Sequence, residues 1–200
     1  MNGINQNSVQ KERILAKASM LFWKNGYTGT TMRAIAKEYG CKAANIYNFF
    51  PNKEAILYEF LYTQIKLIVS DLEHLEDDQL MSPVEQLRCL INIHLKHALS
   101  YSKTSRSLFD VGMNMLSESK LQKVIELRDR YDHILCIVIQ RGIDAGEFAC
   151  TDTKLTAFHI ASIIVRTLIW FSPNGRLSFD EIADNIFNFV LNGLRGGDRK

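Results

Sequence analysis

Proline is scarce in this 200-residue chain: Pro51, Pro83 and Pro173 are its prolines, and glycine adds eleven positions. Proline interrupts a helical hydrogen-bond ladder and glycine weakens it, so few breakers leave room for long helices. Cysteine is sparse too. Cys41, Cys89, Cys136 and Cys150 form no CxxC pair, which points to reduced thiols in a cytoplasmic protein, not a disulfide framework. Met1–Gln10 is polar and lacks the apolar core of a secretion signal. The most apolar run, Leu155–Phe171, contains His159 and Arg166 and is short for a bilayer span. No stretch alternates apolar with polar residues as a half-buried strand does. Missing as well are GxSxG, a P-loop, a GxGxxG after a strand and a clustered acid pair, which leaves an enzyme with little support. A composition of 46% hydrophobic and 23% charged residues excludes a disordered chain and a multi-span membrane protein.

Net charge is unevenly spread. The whole chain carries +2, but residues 1–53 hold eight Lys/Arg against Glu12 and Glu38, leaving residues 54–200 net acidic. A basic head on an acidic body implies a polyanionic partner for the head.

Apolar spacing then divides the chain into helices. After a flexible tail over residues 1–10, Ile14, Leu15, Ala18, Leu21 and Phe22 share one helical face, and Gly26 suits a left-handed cap. Thr30 is placed to cap a short second helix, which Gly40 ends; a third runs about Lys42–Asn48 with Ile46 inward. Asn52 caps a fourth, from Lys53 to about Leu75. Ser82-Pro83-Val84-Glu85 has the form of a capping box opening a fifth. Arg106–Leu116 reads as a sixth, Ser119 to Gly146 as a seventh, Thr153–Phe171 as an eighth, and Ser178-Phe179-Asp180-Glu181 opens a ninth. The expected fold is all-α, with an N-terminal three-helix domain and a larger helical domain.

Two short helices joined at Gly40 have the form of a helix-turn-helix, whose second helix enters the major groove. Within it, Gly26-Tyr27-Thr28-Gly29-Thr30-Thr31-Met32-Arg33-Ala34-Ile35-Ala36, then Gly40-Cys41, then Asn45-Ile46-Tyr47-Asn48-Phe49-Phe50-Pro51-Asn52-Lys53-Glu54-Ala55-Ile56-Leu57, closely resembles the DNA-binding domain of the TetR family of transcriptional regulators. The resemblance runs from about Ile14 to Leu57. It implies a DNA-binding domain over residues 1–53 and a ligand-binding and dimerisation domain over 54–200. Lys42, Ala43 and Ala44 depart from the family, which usually has Ser or Thr at the first position and often Lys or Gly at the next two; the third helix therefore lacks its usual side-chain cap.

Position assigns the contacts. Thr30 and Thr31 at a helix start can bind a phosphate, and Arg33 can reach the backbone or an outer base. Lys42 can reach a phosphate or a guanine edge, Ala43 a thymine methyl, and Asn45 an adenine or a phosphate. The resemblance implies phosphate contacts for Tyr47 and Lys53 and a further contact for Asn48; Tyr47 as a core residue is the alternative.

The eighth helix is apolar on nearly every side, and the ninth carries a wide apolar stripe. The resemblance implies a homodimer through these two helices, with Ile164, Leu168, Ile182, Ile186, Phe187, Val190 and Leu191 in the seam. It also implies an effector pocket in the body, for which His94, Phe109, Met113, Tyr131, His159, Arg166 and Trp170 are candidates; each can equally be core. Arg166, a charge within an apolar run, calls for an acidic partner. The stretch Trp170-Phe171 with Asn174-Gly175-Arg176-Leu177-Ser178 is similar to a subgroup responding to acyl-CoA thioesters or other organic acids. His94 and His97 share a helical face, but no third metal ligand accompanies them. No cofactor and no membrane partner is expected. The expected function is a repressor released from a palindromic operator by a small molecule; the alternative is a regulator of the same fold controlled by a protein partner, or an activator.

Overall fold

The computed structural model describes residues 2–100 and 112–196, with side chains from residue 6 onward. The described residues form helices and turns, with no strand among them. The helices are α1 (Asn2–Gly29), α2 (Met32–Tyr39), α3 (Ala43–Tyr47), α4 (Lys53–Leu72), α5 (His74–Asp77), α6 (Pro83–Ser100), α7 (Glu118–Asp144), α8 (Thr153–Trp170) and α9 (Phe179–Leu194), with a 3-10 turn at Met113–Met115. No helix among the described residues is long and apolar enough to cross a membrane. Most of the expected Arg106–Leu116 helix lies outside the described residues; its end is the 3-10 turn. Packing divides the chain into two compact units, one of residues 2–64 and 112–125, the other of 65–100 and 126–196. Helices α4 and α7 therefore each contribute to both.

In the first unit, α1 packs on α2 and α2 on α3. Ile14, Ala18, Phe22, Ile35, Ala36, Ile46 and Phe50 are buried between them. The expected flexible tail is helical instead: α1 begins at Asn2. No proline precedes Pro51, and the single glycine at position 3 costs only about 1 kcal/mol, too little to stop a ladder anchored further along. Gly26 has the expected positive φ of 73°, but its ψ of 161° is extended, which breaks α1 without forming a left-handed cap. Thr31, not Thr30, caps α2, its side chain accepting from Ala34 N–H at 3.1 Å. Gly40 (φ 85°, ψ 32°) closes α2 in the left-handed conformation, its N–H donating to Ala36 and Lys37.

The other expected starts hold. Asn52 Oδ1 accepts from Ala55 N–H at 2.8 Å, and Ser82–Glu85 and Ser178–Glu181 both form reciprocal capping boxes. Each such cap contributes about 1 kcal/mol. In the second unit α6 packs against α8 and α9. Leu87, Leu90, Ile91, Ile134, Val138, Ile160 and Ile164 are buried there. The Arg141 guanidinium donates to the carbonyls of Leu75 (2.7 Å) and Glu76, satisfying acceptors that α5 leaves open at its end. After α7 the chain folds back and lays the Phe148 ring on Gly142, where a Cβ would stand 1.9 Å from a ring carbon.

Gly142→Ala tests that contact. In an open helix the change would gain about 1 kcal/mol of propensity. Here overpacking dominates, and the urea midpoint is expected to fall by the equivalent of about 1–3 kcal/mol.

Candidate nucleic-acid interface

Ile46 is fully buried and sets the rotation of α3. Lys42, Asn45, Tyr47 and Asn48 are consequently exposed, Tyr47 at 51%, with Ala43 half-buried. Tyr47 is therefore not a core residue. Lys42 is the N-cap residue of α3 and makes no side-chain capping bond. Its ammonium stays in solvent. Thr31 and Arg33 at the start of α2 are exposed as well, and the Thr31 hydroxyl uses its oxygen for the cap, keeping its proton for donation. These groups form a basic, hydroxyl- and amide-bearing surface suited to a duplex backbone and base edges.

Thr30 does not join them. It is 1% exposed, and its hydroxyl turns inward to the carbonyls of Leu21 (3.1 Å) and Gly26 (2.9 Å). Of two adjacent threonines, helix geometry gives the cap to one, and the break at Gly26 draws the other into the core.

Lys53 has a task the sequence pattern did not reveal. Its Nζ donates to the carbonyls of Tyr27 (2.6 Å) and Thr30 (2.8 Å) and lies 4.2 Å from the centre of the Tyr27 ring. Burial draws its pKa below the ordinary lysine value. An ammonium has three protons and two are committed to the carbonyls, which leaves one for a phosphate. Next to it, Glu54 accepts the backbone N–H of Ser117 at 2.7 Å and pairs with Lys120 at 2.9 Å, capping the start of α7. The Ser117 backbone bond first, then Lys120, hold the Glu54 pKa down to about 2.

In the second unit the expected pocket residues differ in burial. His94 and Tyr131 meet, buried, with Nδ1 2.7 Å from the phenol oxygen. Burial holds the imidazole down to about 4 and pushes the phenol up, so both are neutral near pH 7. His159, Arg166 and Trp170 are exposed on α8, so Arg166 is not the buried charge its apolar neighbours implied. Met113 is half-buried in the first unit, and Phe109 lies outside the described residues. His97 bonds Asp71 at 2.7 Å, away from the partner His94 takes.

The expected seam also needs correction. Ile164, Ile182, Ile186, Phe187, Val190 and Leu191 are each at most 7% exposed within one chain, and Leu168 is half-buried. They are core. On α8 and α9 the large apolar side chains left exposed are Leu155, Phe158, Val165, Ile169 and Trp170 of α8 and Phe189 of α9.

Glu54 gives a pH-dependent test. Its carboxyl titrates lower in the folded chain than its usual 4.5, so its contribution is full above about pH 4.5 and lost as pH falls towards 2. Denaturant midpoints measured from pH 6 to pH 3 are expected to fall less steeply for Glu54→Gln than for the parent chain.

The model described as "Bacterial regulatory proteins, tetR family" matches residues 14–60, and that described as "Tetracyclin repressor-like, C-terminal domain" matches residues 80–194. HTH-type transcriptional repressor KstR2 of Mycolicibacterium smegmatis is 22% identical, covering 94% of this chain and 92% of its own. The crystal structure of the TetR family regulator PfmR from Thermus thermophilus superposes with a TM-score of 0.80 at 30% identity, over 94% of this chain and 100% of that one. The structure of AibR in complex with isovaleryl coenzyme A and operator DNA superposes with a TM-score of 0.79 at 22% identity, over 91% and 98%. With an exposed α3 on a basic head and both family domains matched across 14–60 and 80–194, this chain belongs to the TetR family of transcriptional regulators, proteins that bind DNA and are not enzymes.

Proposed function

We propose that the chain is a cytoplasmic repressor, active as a homodimer on a palindromic operator and released when a small molecule binds its body. Residues 1–53 read DNA in this scheme, and residues 54–200 carry the effector site and the dimer seam. The observation that carries the reading is the apolar stripe of Leu155, Phe158, Val165 and Ile169, which follows one side of α8 and is left about half-exposed among the described residues. A contiguous apolar patch of this kind marks an interface. A two-fold pair through it, joined by Phe189 of α9, presents two copies of α3 to two half-sites.

The effector is proposed to be an acyl-CoA thioester or another organic acid. AibR, similar in fold, was crystallised with isovaleryl coenzyme A, and in this chain His94 and Tyr131 are neutral polar groups buried in the body and bonded to each other. Release requires that the ligand bind the DNA-free arrangement more tightly than the DNA-bound one.

Three measurements check this scheme. Ile169→Arg places a charge in the seam and is expected to give monomers in sedimentation, with operator affinity lost alongside. Arg33→Ala is expected to weaken all duplexes and lower the log–log salt slope by about one, as removal of one phosphate contact does. Isovaleryl coenzyme A and related thioesters, titrated into the complex with a duplex selected from a random pool, are expected to release the DNA. Unchanged affinity across thioesters and free organic acids would overturn the effector assignment.

A further inference from the structure

Between the N-terminal part of α1 and the recognition helix α3 lies an open cleft of about 720 Å³. Asn7, Ser8 and Gln10 of α1, Asn45 of α3 and Asn48 just after it line the cleft together with Tyr39 and Cys41, with the buried Ile14 and Ile46 behind them. Asn7, Ser8, Asn45 and Asn48 are exposed, and Gln10 is half-buried. Three properties of this cleft go together. Residues 1–10 contain no acidic side chain, so nothing there repels a phosphate backbone. The lining is rich in amides, each carrying both a donor and an acceptor, the equipment for base edges. Two of its residues belong to the helix that enters the major groove, so the cleft continues the DNA-reading surface sideways. Lys11 also borders it, but its ammonium is paired with Glu59 at 2.6 Å. The amides are left to do the reading.

We infer that the helical extension ahead of Ile14 is a specificity-determining part of the DNA interface, Asn7 and Gln10 reading base pairs that flank the half-site bound by α3. A groove adjoining the one that holds α3 is a minor groove, where A·T pairs present acceptors alone and G·C pairs add a donor in their midst. Amide N–H groups that donate to those acceptors favour A·T. The inference rests on the DNA-binding role of α3 and adds a second reading element beside it.

The test is selection from a random duplex pool with the full-length chain, repeated with the Asn7→Ala/Gln10→Ala double variant and with a chain lacking residues 2–9. Alanine is the better helix former at both positions, so α1 persists in the double variant. The parent chain is expected to enrich A·T at pairs flanking each half-site. The double variant is expected to lose that flanking preference and to bind the parent's preferred duplex about tenfold more weakly, the central base preferences staying the same. Loss of affinity spread evenly over every position, or flanking preferences unchanged in both variants, would overturn the inference. Failure of the parent chain to enrich any duplex would overturn the role of α3 together with it.

Discussion

The first turn of α4 fastens the head together. A five-residue α3 and an eight-residue α2 are far too short to persist alone, since a helix nucleus is costly and isolated helices of that length are unstable in water. Lys53 closes the α1–α2 junction by holding the carbonyl of Tyr27, which also accepts from Thr30 N–H, and that of Thr30. Its neighbour Glu54 faces the other way and caps α7. Two adjacent side chains of opposite sign thus tie the reading helices and the start of a 27-residue helix to one rigid turn.

Charge is handled differently in the second unit. There several buried polar groups are bonded to one another, His94 with Tyr131, Gln86 with the carbonyl of Asp78 and Arg141 with carbonyls, while Glu76 pairs one oxygen with Arg130 and buries the other without a hydrogen-bond partner. A satisfied polar group costs little to bury, whereas an unpaired charge costs several kcal/mol. The solvent position of Arg166 follows the same rule.

Much of the architecture was legible from local chemistry. Asn52, Ser82 and Ser178 cap the helices they precede, and Ile46 turns α3 as its spacing requires, because a cap or a period depends only on nearby residues. The proposed seam was harder. Periodicity finds an apolar stripe but does not say whether the covering surface belongs to the same chain; Ile186 and Val190 are covered from within, Val165 and Ile169 are not. In α8, apolar on almost every side, the pattern offers no face to choose. Thr30 and Thr31 are alike as letters and differ only in which one the φ of Gly26 turns inward. The second role of Lys53 required knowing that two carbonyls from the far end of α1 and the turn after it would lie beneath the ammonium.

The chain has two tryptophans, and the fold gives one to each unit. Trp23 is half-exposed on α1 and Trp170 more so at the end of α8, beside the stripe assigned to the seam. Their overlapping emission accordingly carries a native optical signal from each unit. Association through α8 would dehydrate the indole of Trp170 and shift its emission to the blue, while Trp23 would go on reporting the water around the head.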